Sequence, residues 1–221
     1  MRTAQNAIEP HTKKGHQMKT LTLLACGAAM AALGAPALAQ SKGDMTLGFG
    51  VHSVMPRSSS STTTAGQITV GDNIRPTLTF EYFVADRIGI EVLAAWPFEH
   101  DIKLAGAGKV GKTKHLPPTV SVQYHFVNSS SITPFIGAGV TYVTFFDDKG
   151  TGALAGTDID LDDSWGFSAH AGVDIALSER SAIRLDARYM DIDTSAKVGG
   201  AKIGTVHIDP LVVGAAYVMK F

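Results

Sequence analysis

Three groups of residues in this chain are of types that do chemistry. His52, His125 and His170 accompany Ser121, Ser168, Asp174 and Glu91. A His–Ser–acid set is the constellation of a hydrolase. "GAGKVGKT" (106–113) satisfies both G-x-x-x-x-G-K-[ST] and G-x-G-x-x-G. That spacing of glycines serves a phosphate cradle. "DIDLDD" (158–163) has the alternating carboxylates of a calcium loop. Each chemistry needs its own scaffold, so the elements that carry these residues decide among them.

Those elements are strands. Apolar and polar residues alternate with period two in eight segments, the mark of half-buried antiparallel strands. "NIRPTLTFEYFV" sets Ile74, Pro76, Leu78, Phe80 and Tyr82 against Arg75, Thr77, Thr79 and Glu81. "IGIEVLAAWPF" sets Ile88, Ile90, Val92, Ala94, Trp96 and Phe98 against Gly89, Glu91 and Leu93. "SWGFSAHAGVDIAL" sets Trp165, Phe167, Ala169 and Val173 against Ser168, His170 and Asp174. "AIRLDARYMDI" sets Ile183, Leu185 and Tyr189 against Arg184, Asp186 and Arg188. The last segment places Tyr217, Met219 and Phe221 on one face, and it runs to the terminal residue.

Composition fixes the class of environment. The 221 residues are 45% apolar with a formal net charge of -1. No basic field points to nucleic acid. No run of about 18 apolar residues occurs beyond the N-terminus, which argues against membrane helices. Residues 1–39 read as a signal peptide: Lys13, Lys14 and Lys19 precede an apolar core and an Ala37-Leu38-Ala39 exit. Met18 starts a more usual signal length than Met1. Cys26, the one cysteine, falls inside this segment, so residues 40–221 form an exported domain without disulfides.

The strands belong to a membrane barrel. "ADR", "NSSS" and "SERS" are tight turns, and the intervening links run to roughly ten to seventeen residues. Short turns alternating with long loops characterise a transmembrane barrel. Tyr82, Phe83, Tyr124, Phe126, Phe135, Tyr217 and Phe221 fall at the periplasmic end. Trp96, Phe98, Phe145, Phe146, Trp165 and Tyr189 fall at the outer end. Two aromatic belts result, as a bilayer selects. A soluble barrel packs its apolar face inward, but here the opposite face carries Arg75, Glu91, Gln123, Asp174, Arg184 and Asp186. The fold expected is all-β: an eight-stranded antiparallel transmembrane β-barrel with short periplasmic turns and long extracellular loops. Closure of its last strand removes the edge that lipid does not tolerate.

This scaffold disposes of the three chemistries. Pro117 and Pro118 follow "GAGKVGKT" too closely for the helix that a phosphate cradle requires, which leaves a flexible loop with Lys109, Lys112 and Lys114 toward lipopolysaccharide phosphates. The EF-hand pattern needs Gly at its sixth place and Glu at its twelfth, where this chain has Asp163 and Ala169. His125 lies near the periplasmic end, far from an outer-rim acyl chain, and inward His, Arg and acids pair to fill a small lumen. No catalytic residue, metal or cofactor is assigned.

The chain resembles the OmpW family of Gram-negative outer-membrane proteins. The resemblance rests on "LTFEYFVADRIGIEVLAAWPFEHDI" (78–102), "HLPPTVSVQYHF" (115–126), "PFIGAGVTYVTFFDD" (134–148), "DSWGFSAHAGVD" (163–174), "RYMDIDTSA" (188–196) and the closing "HIDP…F". The Ser/Thr-rich "RSSSSTTTAGQITVGD" departs from the family. The resemblance implies a bacterial outer-membrane location and a narrow, partly apolar channel for small hydrophobic molecules.

From this follow the expected site residues. Channel-lining candidates are Leu93, Trp165, Glu91, His125, His170, Arg184 and Asp186. Leu93 is apolar on a face otherwise marked by charge, and an apolar constriction repels water and ions while admitting an apolar solute. Pro117 and Pro118 beside Gly137 and Gly139 are expected to interrupt strand pairing and open a lateral exit. Trp96, Phe98, Tyr124, Phe126, Tyr217 and Phe221 form the belts. Expected partners are outer-membrane lipid and lipopolysaccharide, small hydrophobic solutes, and the barrel-assembly machinery through the Phe221 strand. The alternative is a surface-interaction barrel with a lumen plugged by charge pairs, whose loops bind envelope partners, phage or bacteriocins.

Overall fold

The computed structural model describes residues 40–57 and 62–221; the signal peptide assigned to residues 1–39 lies outside the described residues. The strands are β1 (Met45–Met55), β2 (Thr62–Thr63), β3 (Gly66–Val70), β4 (Asn73–Ala85), β5 (Ile88–Ala95), β6 (Phe98–Leu104), β7 (Gly108–Leu116) and β8 (Thr119–His125). They continue as β9 (Ile132–Gly150), β10 (Ile159–Leu161), β11 (Ser164–Ser178), β12 (Ser181–Met190), β13 (Asp193–Val198), β14 (Ala201–His207) and β15 (Leu211–Lys220).

Eight of these strands close a barrel. The ladder runs β1, β4, β5, β8, β9, β11, β12, β15 and back to β1, antiparallel at every step. Val51 faces Ala215 and Phe49 faces Tyr217 across the closing pair. The amide of Phe221 donates to the Met45 carbonyl at 2.9 Å, so the chain end is tied into the seam.

Alternation puts the apolar face outside. Phe49, Leu78, Phe80, Tyr82, Val92, Val122, Ile136 and Phe167 are exposed, whereas Thr79, Glu81, Glu91, Gln123, Asp174 and Arg184 are buried. An exposed apolar band over a charged interior is stable only in lipid. Trp96, Tyr124, Phe126, Tyr217 and Phe221 all face outward.

Phe98 corrects the belt assignment: it is 2% exposed and points into the barrel. β5 stops at Ala95 and β6 starts at Phe98, with Pro97 between them. The bend at this proline, which has no N–H for the ladder, breaks the alternation, so Phe98 does not follow Trp96 outward. Phe83 and Phe135 are also interior, because each takes the odd parity of its strand.

The long links are not plain loops. β2, β3, β6, β7 and the outer part of β9 continue the sheet beyond the barrel rim, and β10, β13 and β14 form a three-stranded sheet beside them. "GAGKVGKT" spans a hairpin tip at Gly106 and Ala107 and the first six residues of β7, so it is not a plain loop. Its two lysines and the one that follows pair with acids: Lys109 with Asp101, Lys112 with Glu99 and Lys114 with Asp147. "DIDLDD" contains β10, and Asp160 and Asp162 hold Lys197. This outer extension encloses an apolar core of Ile68, Phe98, Ile102, Val110, Leu161, Ile192, Val206 and Ile208.

Candidate functional site

The lumen has two halves of opposite character. The inner half is an ion network. Arg184 Nε donates to Asp174 Oδ1 at 2.8 Å, and one of its terminal nitrogens donates to Asp174 Oδ2 at 2.9 Å. The same guanidinium reaches Glu91 at 3.0 Å and Glu81 at 3.3 Å. Arg188 binds Glu91 at 2.7 Å, and His125 Nε2 lies 2.7 Å from Glu81. His52 bridges Thr77 at 2.7 Å and Asp186 at 3.1 Å. Phe135 backs the network, with the Arg184 guanidinium 4.5 Å from its ring centroid. Period two explains the assembly, since each side chain comes from the inward parity of β1, β4, β5, β8, β11 or β12. In an eight-stranded barrel the interior is only wide enough for side chains, so this set fills it.

Glu91, His125, His170 and Arg184 lie inside this half, and so does the side chain of Asp186. Trp165 does not: it is 72% exposed and lies outside against Tyr142, the rings tilted by 45°, as its parity on β11 dictates. Gly137 and Gly139 also differ from expectation. The ladder is continuous through both, with Gln123 opposite Gly137 and Ser121 opposite Gly139. Their role is close approach: a Cβ at Gly137 would stand 2.4 Å from His170 Nε2, and one at Gly139 2.1 Å from the Val120 carbonyl.

Pairing is interrupted elsewhere. β5 pairs with β8 up to Leu93 opposite Thr119, and β6 pairs with β7 from Phe98 opposite His115. Between these points, residues 94–97 and 116–118 have no paired register in that seam. Trp96 N–H turns the other way, to the Pro76 carbonyl at 3.0 Å, and Pro117 and Pro118 offer no N–H.

The outer half is apolar. A small chamber of about 20 Å³ is lined by Leu93, Phe98, Pro117, Val143, Met190 and Val212 among others, beside the unpaired seam. A larger cavity of about 140 Å³ follows in the extension, walled by Ile68, Ile102, Leu104, Val110, Phe145 and Leu161 among others. His115 and Ile208 border both spaces. Burial pushes the His115 imidazole down to about 3, so this ring is neutral and adds no charge to the wall.

The hydrolase set is not assembled. Ser168 Oγ and both His170 nitrogens have no hydrogen-bond partner among the described residues, and Ser121 Oγ accepts from Arg188. At the rim, Asp193, His207 and Asp209 bring ligand-type atoms within 4.8 Å of one another. His207 Nδ1 lies 2.5 Å from Asp193, and Asp209 accepts the Ile192 amide at 3.1 Å.

The sequence reading missed Arg188 and Glu81 in the network and the whole outer cavity. Parity on β4 and β12 locates the first two. The alternation Phe98, His100, Ile102, Leu104 was the available signal for the cavity.

Comparison with known proteins agrees with this architecture. The model of the OmpW family matches residues 41–221. The chain is 42% identical to outer membrane protein W of Vibrio cholerae over 212 residues, covering 89% of this chain and 98% of that one. The crystal structure of the outer membrane protein OprG from Pseudomonas aeruginosa superposes with a TM-score of 0.75 at 33% identity, covering 84% of this chain and 99% of the other. A further relative, the dibenzothiophene metabolism operon protein PahQ of Pseudomonas aeruginosa, is 26% identical over 164 residues, covering 71% of this chain and 75% of that one.

Proposed function

The chain belongs to the OmpW family of outer-membrane barrels, and from that premise we propose that it passes small hydrophobic molecules through the outer membrane. One observation supports the reading: two apolar spaces, the outer cavity and the small chamber beside Leu93, share His115 and Ile208 as wall, and the inner lumen holds a network of buried charge. An apolar solute gains by leaving water for such a wall, at about 25 cal/mol per Å² of apolar surface buried. It gains nothing by entering the ion network, whose disruption is costly. The unpaired seam between residues 94–97 and 116–118 offers a sideways way out into lipid at the depth of Leu93. No cofactor or covalent step is involved, and the solute gradient drives the flow. A relative named for dibenzothiophene metabolism fits a solute of this kind, because dibenzothiophene is a flat apolar polycycle.

Uptake of labelled naphthalene by intact cells tests the reading. A deletion strain, the complemented strain and complementation with Leu93→Asp are compared at matched outer-membrane abundance. Restored uptake that is lost in Leu93→Asp supports the path. Equal uptake in all three removes it and favours the second reading, a surface-interaction barrel, which the sealed inner lumen supports.

A further inference from the structure

The outer rim carries a group of side chains that neither the lumen nor the cavities use. Asp193, His207 and Asp209 each offer a ligand-type atom, and these atoms lie within 4.8 Å of one another. The backbone sets the group. Asp193 opens β13 and faces His207, the last residue of β14, in the ladder. Asp209 follows two residues later with φ 35°, in the left-handed region that Asp and Asn tolerate. Its turn is tied to the start of β13 twice. The Ile208 amide donates to the Ile192 carbonyl at 2.9 Å, and the Ile192 amide donates to Asp209 Oδ1 at 3.1 Å.

The set is mixed in kind and open to solution. Oxygen ligands alone suit Mg²⁺ and Ca²⁺, whereas an imidazole among them favours a borderline ion such as Zn²⁺. The other described histidines, His52, His100, His115, His125 and His170, are at most 5% exposed. The side chains of His207 and Asp193 are 43% and 51% exposed, so an ion in solution reaches them. Asp193 also borders an open groove with Asp191. Neither Asp193 nor Asp209 forms an ion pair with a lysine or arginine among the described residues, so the carboxylates keep their charge for a cation. His207 Nδ1 lies 2.5 Å from Asp193 Oδ1. Two donors at about 2.0–2.1 Å on a tetrahedral ion stand about 3.4 Å apart, so the pair opens by roughly 1 Å to admit one. Half-exposed side chains do this by rotation. The ion takes the place of the hydrogen between them, which the neutral ring carries on its other nitrogen.

From this geometry we infer that Asp193, His207 and Asp209 form a binding site for a divalent transition ion of the Zn²⁺ class, with the remaining position left to water. The site has a structural consequence. Ile192, Ile208 and Pro210, the chain neighbours of the three ligands, line the small chamber beside Leu93. A bound ion sits on the back of that wall and clips β13 to the link between β14 and β15. The inference stands apart from the solute reading, because the ligands and their access do not depend on what enters the chamber.

Titration calorimetry with ZnCl₂ tests it, on the untagged barrel in phosphatidylcholine nanodiscs with empty nanodiscs as the reference. One saturable Zn²⁺ per barrel is expected, held against equimolar Mg²⁺. Asp209→Asn keeps an oxygen for the Ile192 amide and suits the positive φ, so it removes the charge and spares the turn. It and His207→Gln should each weaken Zn²⁺ binding at least tenfold, since even outer-shell changes cost about 10–100-fold. In an imidazole 15N spectrum of the native barrel, Zn²⁺ should shift His207 and leave the five buried rings in place, a readout that needs no variant. With Zn²⁺ at a hundredfold excess over its Kd, hydrogen exchange of the Ile192 and Ile208 amides should slow by about a hundredfold. No saturable binding above empty nanodiscs, or binding that both variants keep with His207 unmoved, overturns the site. Displacement by equimolar Mg²⁺ overturns the choice of ion. Binding without slowed exchange overturns the clip and upholds the site.

Discussion

Removal of Arg184 tests whether the inner lumen is a dry seal. The side chain is 4% exposed and touches three carboxylates. In Arg184→Met, Glu91 keeps Arg188 at 2.7 Å and Glu81 keeps His125 at 2.7 Å. Asp174 fares worst: it loses bonds of 2.8 and 2.9 Å and retains only His125 Nδ1 at 3.8 Å. Leaving a buried charge without its partner costs about 3–5 kcal/mol. The double variant Asp174→Asn with Arg184→Met removes the orphaned charge and should recover about 1–3 kcal/mol of that loss. Unfolding in urea from phospholipid vesicles, followed by the fluorescence of Trp96 and Trp165, measures both values. Single-channel conductance should rise in Arg184→Met, because the guanidinium that ties β4, β5 and β11 to β12 is gone. A loss under about 1 kcal/mol, as for a solvated pair, with unchanged conductance would refute the idea that these charges are desolvated and block the lumen.

Other consequences follow from the same geometry. His115 is held to about 3 in the folded barrel, while the unfolded chain titrates near ~6.5. The unfolded state therefore takes up a proton first as pH falls. Stability contributed by neutral His115 is complete above about pH 6.5 and declines by about 1.4 kcal/mol per unit down to about pH 3. Proteolytic cutting of the β6–β7 hairpin should steepen over that window in the native barrel and less so in His115→Phe. Gly137→Val puts a Cβ 2.4 Å from His170 Nε2 and should cost about 1–3 kcal/mol by overpacking, read from the urea midpoint. Deleting Phe221 removes the amide that binds Met45 and should lower the amount of heat-modifiable, folded barrel in the outer membrane at equal synthesis.

The barrel was legible because period two is a local property. Glu91, Arg184 and Asp186 each face inward for the same reason that Val92 and Leu185 face lipid: neighbours on a strand point to opposite sides. Phe98 was misread where that rule stops, since the break at Pro97 resets the alternation. Trp165 obeyed its parity, and its place near the mouth was no guide to its direction. The glycines on β9 were read as weak points, whereas the ladder passes through them and they make room for His170 and Ser121. The outer cavity was illegible for a physical reason. Its walls come from segments rich in Gly, Lys and Asp whose pairing is set by distant partners, such as Ile68 with Leu104 and Ile159 with Val198. The alternation of Phe98, His100, Ile102 and Leu104 marks one buried face on β6, but nothing local says which segments cover it.

The most direct test of the central claim is a nuclear Overhauser spectrum of the barrel in nanodiscs with protonated naphthalene and methyl-labelled side chains. The account predicts cross-peaks from naphthalene to Ile102, Val110 and Leu161 in the outer cavity and to Leu93 beneath it. Cross-peaks confined to outward-facing Val92, Val122 and Ile136, with silence from the cavity methyls, would place the solute in lipid alone and contradict the account.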